Sequence, residues 1–185
     1  MTVPDDEIVV IVDEHDREIG ATRRAIMRQQ RLIHRAAYIL VFNDRGRLFV
    51  QKRSMRKDVY PGYWDAAAGG VVLAGESYMQ AARRELSEEL GISTTLQHLF
   101  DHYHEDGDNR VWGRVYHCNH NGPFELQEEE IVAGRFMTLE QALALNREQP
   151  FTPDSVSIME RLLTADSDDD ACRDDAAESA GIGRP

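Results

Sequence analysis

Cysteine is scarce in this 185-residue chain, which holds only Cys118 and Cys172. Two such residues cannot supply the disulfide framework of a small secreted domain, so a reducing, cytoplasmic setting is expected. Long hydrophobic runs are missing as well. Charged residues interrupt every apolar stretch before the ~18 residues that a membrane-spanning helix needs. The acidic segment Met1–Glu7 lacks the basic start and apolar run of a secretory signal. Positive charge is also in short supply, with 21 Lys and Arg against 33 Asp and Glu and a net charge of −12. That surface argues against a nucleic-acid polymer or an anionic membrane as partner. A small anionic compound stays compatible, because a bound divalent cation and a few local Arg or Lys side chains can reverse the field where it matters.

From Ala165 to Pro185 the chain is rich in Asp, Ala, Ser and Gly and nearly free of large apolar residues. Such a segment cannot bury enough surface to offset its ordering entropy, so an acidic disordered tail is expected over 165–185. Residues 36–164 read as the main domain, with 1–35 as a strand and helix extension packed on it. Ile8–Val12 and Arg17–Ile19 flank a turn at Asp13–Asp16, and Thr22 is placed to cap a short helix reaching Gln30. Ala36–Phe42 and Arg47–Gln51 flank the turn Asn43-Asp44-Arg45-Gly46. Leu96–Tyr103 and Arg110–Cys118 form a second pair, and Arg135–Met137 reads as a short strand. Thr138 with Gln141 makes a capping box, and Thr152-Pro153 opens a last helix. Strands and helices in this order point to an α/β layered sandwich with a mixed sheet.

The informative segment runs from Gly69 to Ile92. Ser77 is a good N-cap with Gln80 three positions on, and Gly91 supplies a left-handed C-terminus, so Tyr78–Leu90 reads as a helix. At about 100° per residue, Glu85, Glu88 and Glu89 fall in one sector, beside the apolar stripe of Met79, Leu86 and Leu90. Ala81 leaves space within the acidic sector, and Arg84 flanks it. A solvated acidic face would explain most glutamate-rich helices. Here the i,i+3 and i,i+4 like-charge pairs each cost roughly 0.2–0.5 kcal/mol. Glu88 and Glu89 also sit in the last turn, where the helix dipole disfavours anions. A hard divalent cation would remove both penalties, and clustered carboxylate oxygens suit Mg²⁺.

The spacing Gly70, five residues, Glu76, seven residues, Arg84-Glu85-Leu86, one residue, Glu88-Glu89, one residue, Gly91-Ile92 resembles the Nudix box at every specified position. The resemblance implies a Nudix α/β/α sandwich with a loop–helix–loop catalytic element. It implies that Glu85, Glu88 and Glu89 hold Mg²⁺, with Mn²⁺ as a substitute and the Gly70 carbonyl as a further ligand. Glu76 and Arg84 would pair to fix the loop on the helix. The implied reaction is hydrolysis of a pyrophosphate bond in a nucleoside diphosphate-X or related small diphosphate compound. Many such proteins dimerise, so a homodimer is compatible.

Outside the box, Lys52 and Arg53 end a strand where Nudix enzymes often present a basic residue to substrate phosphate; a solvent-facing strand end is the plain alternative. Arg110 is a further substrate-binding candidate. Glu130, before apolar Ile131, is the candidate for an additional ligand or base, against a plain acidic loop. The general base stays open among Glu88, Glu89 and Glu130. Trp64 and Trp112 read as core residues, and the histidines lack a compact metal spacing. His102–Arg110 and Ser54–Tyr63 are expected to line the specificity pocket.

Asp13 with Arg24, His34-Arg35, Pro61-Gly62-Tyr63-Trp64-Asp65, Val111-Trp112-Gly113 and Phe151-Thr152-Pro153-Asp154-Ser155 resemble the isopentenyl-diphosphate-isomerase-like subfamily, and within it the YfcD-type bacterial Nudix hydrolases. An isomerase would need a cysteine where Gly69 stands, a histidine at Val71 and an acid near Arg110; only His34 matches a metal ligand of that chemistry. Carbon protonation then lacks its groups. The other alternative, a non-catalytic nucleotide-binding sensor, would not require all three box acids.

Overall fold

The computed structural model describes residues 6–165. The expected acidic tail lies outside the described residues, save for Ala165. Among the described residues, nine strands form one mixed sheet. β1 (Ile8–Val12) and β2 (Glu18–Arg23) make the N-terminal hairpin, followed by α1 (Arg24–Gln29). β3 (His34–Phe42) and β4 (Leu48–Arg53) carry the centre, and two short strands, β5 (Trp64–Asp65) and β6 (Ala68–Val71), lead into α2 (Tyr78–Leu90). β7 (Gln97–Glu105), β8 (Arg110–Asn119), β9 (Ile131–Met137) and α3 (Leu139–Leu145) follow, and residues 153–165 form a last helix, α4. No helix among the described residues is long and apolar enough to cross a membrane.

β3 organises the sheet. It pairs antiparallel with β6 through Ala36↔Val71 to Ile39↔Ala68, and parallel with β8 from His34↔Val111 to Phe42↔Asn119. Period-two alternation then gives each strand two working faces. Ile39, Val41 and Phe49 pack with Ala81, Ala82, Leu86 and Leu90 of α2. Leu40, Leu48 and Val50 face the other way, onto Ala142 of α3 and Ile158 and Met159 of α4. Helices therefore cover both faces of the sheet, giving the expected α/β sandwich.

The helix ends of α2 are as the sequence dictates. Ser77 and Gln80 close a reciprocal capping box, and Gly91 is left-handed at φ 67°. Thr138 and Gln141 repeat the box at α3.

Three local expectations need correction. Thr22 does not cap α1; it pairs with Val9 inside β2, and the N-cap is Arg23, without a side-chain cap bond. β9 starts at Ile131, well before Arg135, because it pairs with β4 along its whole length. Its Gly134 hid this from a propensity reading, yet a Cβ there would stand 2.1 Å from Phe49 Cζ, so close packing requires the glycine. The buried stripe of α2 is also broader than Met79, Leu86 and Leu90: Ala81, Ala82 and Glu89 are buried, and Met79 only partly.

The N-terminal segment is built into the same sheet. Ile11 pairs with His34, Val10 N donates to the Val72 carbonyl, and Ala74 N donates to the Ile8 carbonyl. Val9, Ile11, Met27 and Val71 share a small core.

Candidate active site

The loop before α2 is fixed first. Arg84 Nε and an Nη donate to the two Glu76 oxygens at 2.8 and 3.0 Å, and the same guanidinium donates to the Val71 carbonyl. Glu76 in turn accepts from Leu73 N. This bidentate pair ties β6, the loop and the helix together. Arg84 also reaches Glu85 at 2.7 Å and Glu88 at 3.2 Å.

α2 then presents its acids at graded depth. Glu88 is exposed, Glu85 lies mostly buried, and Glu89 is 3% exposed. Glu89 Oε2 accepts from Gly69 N at 2.9 Å and from Gln51 Nε2 at 3.4 Å. Burial pushes the Glu89 carboxyl up to about 7, against the Lys57 charge and with help from Glu85. Burial raises Glu85 too, against Arg84. Gly70 is what lets Glu85 lie there: a Cβ on Gly70 would stand 2.4 Å from Glu85 Oε1.

Glu130 joins this group through Lys57, whose ammonium contacts Glu130 and lies 3.7 Å from Glu89 Oε1. The cradle lined by Glu85, Glu88, Glu89, Glu130 and Gly70 therefore assembles all the sequence-predicted metal candidates. Among the described residues no three of these groups stand as a ready-made ligand cluster; the carboxylates turn to Arg84 and Lys57. The donor set nonetheless fits a hard divalent cation, being all oxygen and carrying buried carboxylates whose raised affinity for protons marks under-compensated negative charge.

Beside the cradle, and sharing Arg24, Lys57, Gly69 and Gly70 with it, opens a cleft. Arg53 stands in this cleft, donating to Asp65 at 3.0 Å and to the Val59 carbonyl. Asp65 accepts from Ser155, and Tyr38 donates to Asp154, so the floor is a polar network. Burial raises Asp65 against Arg53, and burial with Asp154 raises the Tyr38 phenol well above its usual range. His34 lines the cleft as well; burial, with Arg28 nearby, lowers it to about 3.

Two predicted substrate contacts are not brought here. Lys52 falls on the face of β4 shared with Leu48 and Val50, opposite Gln51, so strand alternation turns it away from the cradle. Arg110 pairs with Glu105 at 3.1 Å and lines a separate groove with Ile11 and Arg31. Of the two expected pocket segments, Ser54–Tyr63 contributes Lys57, Asp58, Val59 and Tyr60, and His102–Arg110 contributes Asn109. Trp64 is a buried residue stacked on Phe151, and Trp112 is half-buried against Tyr103. Sequence reasoning missed Lys57, Gln51, Arg28 and the role of Arg24. A basic residue four after the predicted Arg53 was the available signal for Lys57.

The Nudix-domain model matches residues 32–162. The chain belongs to the Nudix family. A Nudix hydrolase of Pseudomonas aeruginosa, PA4841, is 44% identical over 164 residues, covering 87% of this chain and 96% of the relative. The Nudix hydrolase YfcD of Escherichia coli K12 is 40% identical over 173 residues, covering 93% of this chain and 95% of the relative. Among solved structures, DR0079 from Deinococcus radiodurans superposes with a TM-score of 0.73 at 24% identity, covering 84% of this chain and 98% of that one. These matches make this Nudix protein a hydrolase by family. The isomerase alternative also fails on geometry. A Cβ at Gly69, the position that chemistry would give to cysteine, would stand 2.0 Å from the Ala37 carbonyl oxygen at φ +148°.

Proposed function

We propose that this Nudix hydrolase cleaves a pyrophosphate bond in a small diphosphate compound with Mg²⁺, or Mn²⁺ in its place. Glu85, Glu88, Glu89 and Glu130 would hold the metal, with the Gly70 carbonyl as a further ligand. When bound, the metal supplies charge neutralisation at phosphate and lowers the pKa of a water. The chain's own part is positioning. Lys57, which borders both compartments, orients the phosphates between acid cradle and basic cleft. Arg84 and Glu76 hold the loop that carries Gly70. Glu89 is held in place by Gly69 N and Gln51 Nε2, which fixes its carboxylate toward the cradle. The polar floor of Asp65, Asp154 and Tyr38 favours a polar group X over a prenyl tail, since an apolar tail would strip water from those groups and offer no hydrogen bonds in return.

The observation that carries this reading is the abutment of buried carboxylates on α2 with a cationic cleft across the Gly69-Gly70 strand. The test is purified protein with Mg²⁺, Mn²⁺ or chelator on a panel of nucleotide sugars, dinucleotides and nucleoside triphosphates, read as phosphate or pyrophosphate release. Metal-dependent release abolished by Glu89→Gln is expected. A silent panel, with ligand-induced thermal stabilisation, would favour a binding sensor instead.

A further inference from the structure

The cleft carries cations that the cradle does not need. Four cationic side chains, Arg24, Arg28, Arg53 and Lys57, line it against three anionic ones, Asp58, Asp65 and Asp154. Lys57 is engaged with Glu130 and Glu89, and Arg53 with Asp65. Arg24 and Arg28 are different. Both come from α1, outside the matched Nudix region, and both are mostly buried.

Their guanidinium groups converge on one oxygen, Asp58 Oδ2, at 3.6 Å from Arg24 and 3.2 Å from Arg28. Glu7 also serves Arg24, at 3.1 Å, and the neutral Asn109 amide oxygen serves Arg28, at 2.9 Å. The outcome differs between the two. Burial works against both charges, but Asp58 and Glu7 outweigh it at Arg24, whereas at Arg28 burial prevails and its pKa is lowered. Arg24 Nε is buried with no partner among the described residues. Two buried guanidinium groups thus share Asp58, Glu7 serves Arg24 alone, and one Arg24 donor is left over.

We infer that Arg24 and Arg28 form a phosphate subsite in the cleft, next to the acid cradle that Arg24 also borders. A phosphate monoester suits it better than a carboxylate, because a dianion with three oxygens can serve two planar forks at once while Asp58 keeps its place. Arg28 lines the cleft and not the cradle, so the group it meets lies beyond the bond being cut. On the cleavage reading above, on which this part rests, the substrate carries a second phosphate in addition to its scissile diphosphate.

The test uses the full chain and three probes. In chelator, calorimetry with inorganic phosphate is expected to show one saturable site, weakened about tenfold or more by Arg28→Gln and by Arg24→Gln. Acetate is expected not to saturate. Absent saturation, unchanged affinity in both variants, or acetate matching phosphate overturns the subsite. Phosphate protection of Arg24 or Arg28 from phenylglyoxal, read by peptide mass spectrometry on the unaltered chain, covers a variant that fails to fold; modification unaffected by phosphate counts against it. With Mg²⁺ and methylenediphosphonate saturating the cradle, phosphate should still bind. Mutual exclusion overturns the claim of a subsite next to the cradle, whereas failure of the diphosphonate to bind tells against the cleavage reading and leaves the phosphate site standing.

Discussion

The backbone of Gly70 lies directly against the carboxylate of Glu85, so that a single methyl group there would stand 2.4 Å from Oε1 and 2.7 Å from Cδ. The glycine of the box is thus a space requirement set by one acid. Gly70→Ala is expected to displace Glu85 and leave the fold intact, since the clashing atoms end a side chain. Activity should fall at least tenfold with about 1–3 kcal/mol lost in stability. Turnover and melting of the variant check this; near-normal turnover would refute it.

Glu89→Gln separates function from stability. The folded pKa of Glu89, about 7, lies above its ordinary value of 4.5. The native state therefore binds the proton more tightly than the unfolded chain. Metal-free protein should lose stability as pH rises from 4.5 to about 7, with no further loss from this group above that. The variant should lack this slope and, at pH 8, melt no lower than the parent while hydrolysing almost nothing. Melting curves in chelator across pH 4.5–8 decide it.

His34 acts with the opposite sign. Its pKa is lowered from 6.5 to about 3, so the stability from keeping it neutral is full above 6.5 and drains as pH falls toward 3. The loss by pH 3 is on the order of 4 kcal/mol. His34→Gln should remove this acid sensitivity, measured as the difference in urea midpoints between pH 7 and pH 4. Equal sensitivity in parent and variant would exclude His34 as its source.

Arg84→Lys tests the loop anchor. Lysine cannot donate in parallel to both Glu76 oxygens and also to the Val71 carbonyl, as Arg84 does. A stability loss of about 1–3 kcal/mol and a larger proportional fall in kcat are expected, and a double-mutant cycle with Glu76→Gln should show coupling. Additive effects would mean that the pair does not act as a unit.

The acidic helix α2 was legible because its information is local. Ser77, Gln80 and Gly91 mark the ends, and helical periodicity alone puts Glu85, Glu88 and Glu89 on one side. The depth difference between Glu88 and Glu89 was only half legible: the wheel sets direction, but burial depends on Gly69 and Gln51, which arrive from other strands. Arg53 against Lys52 shows the same limit. Both are basic and adjacent, and which one enters the cleft follows from the register of β4, disturbed by an irregularity between these two residues. Arg24 and Arg28 are neighbours on α1 at a spacing of four, but that they meet the loop of Lys57 and Asp58 follows only from tertiary packing. β6 escaped notice because Ala66 to Gly70 offers neither alternation nor β-branched side chains, and β5 because Trp64–Asp65 is only two residues long.

The way Ile8 and Ile11 are stitched to Ala74 and His34 has a practical consequence. A fragment trimmed to the start of the matched family region would discard Val9 and Met27, the side chains that cover Val71, one residue from Gly70. Exposing that small apolar cluster would loosen the strand on which the acids rest. The matched domain region and the packed core of this molecule therefore have different left-hand edges, and expression of the shorter piece should give a protein that melts earlier and grips divalent ions poorly.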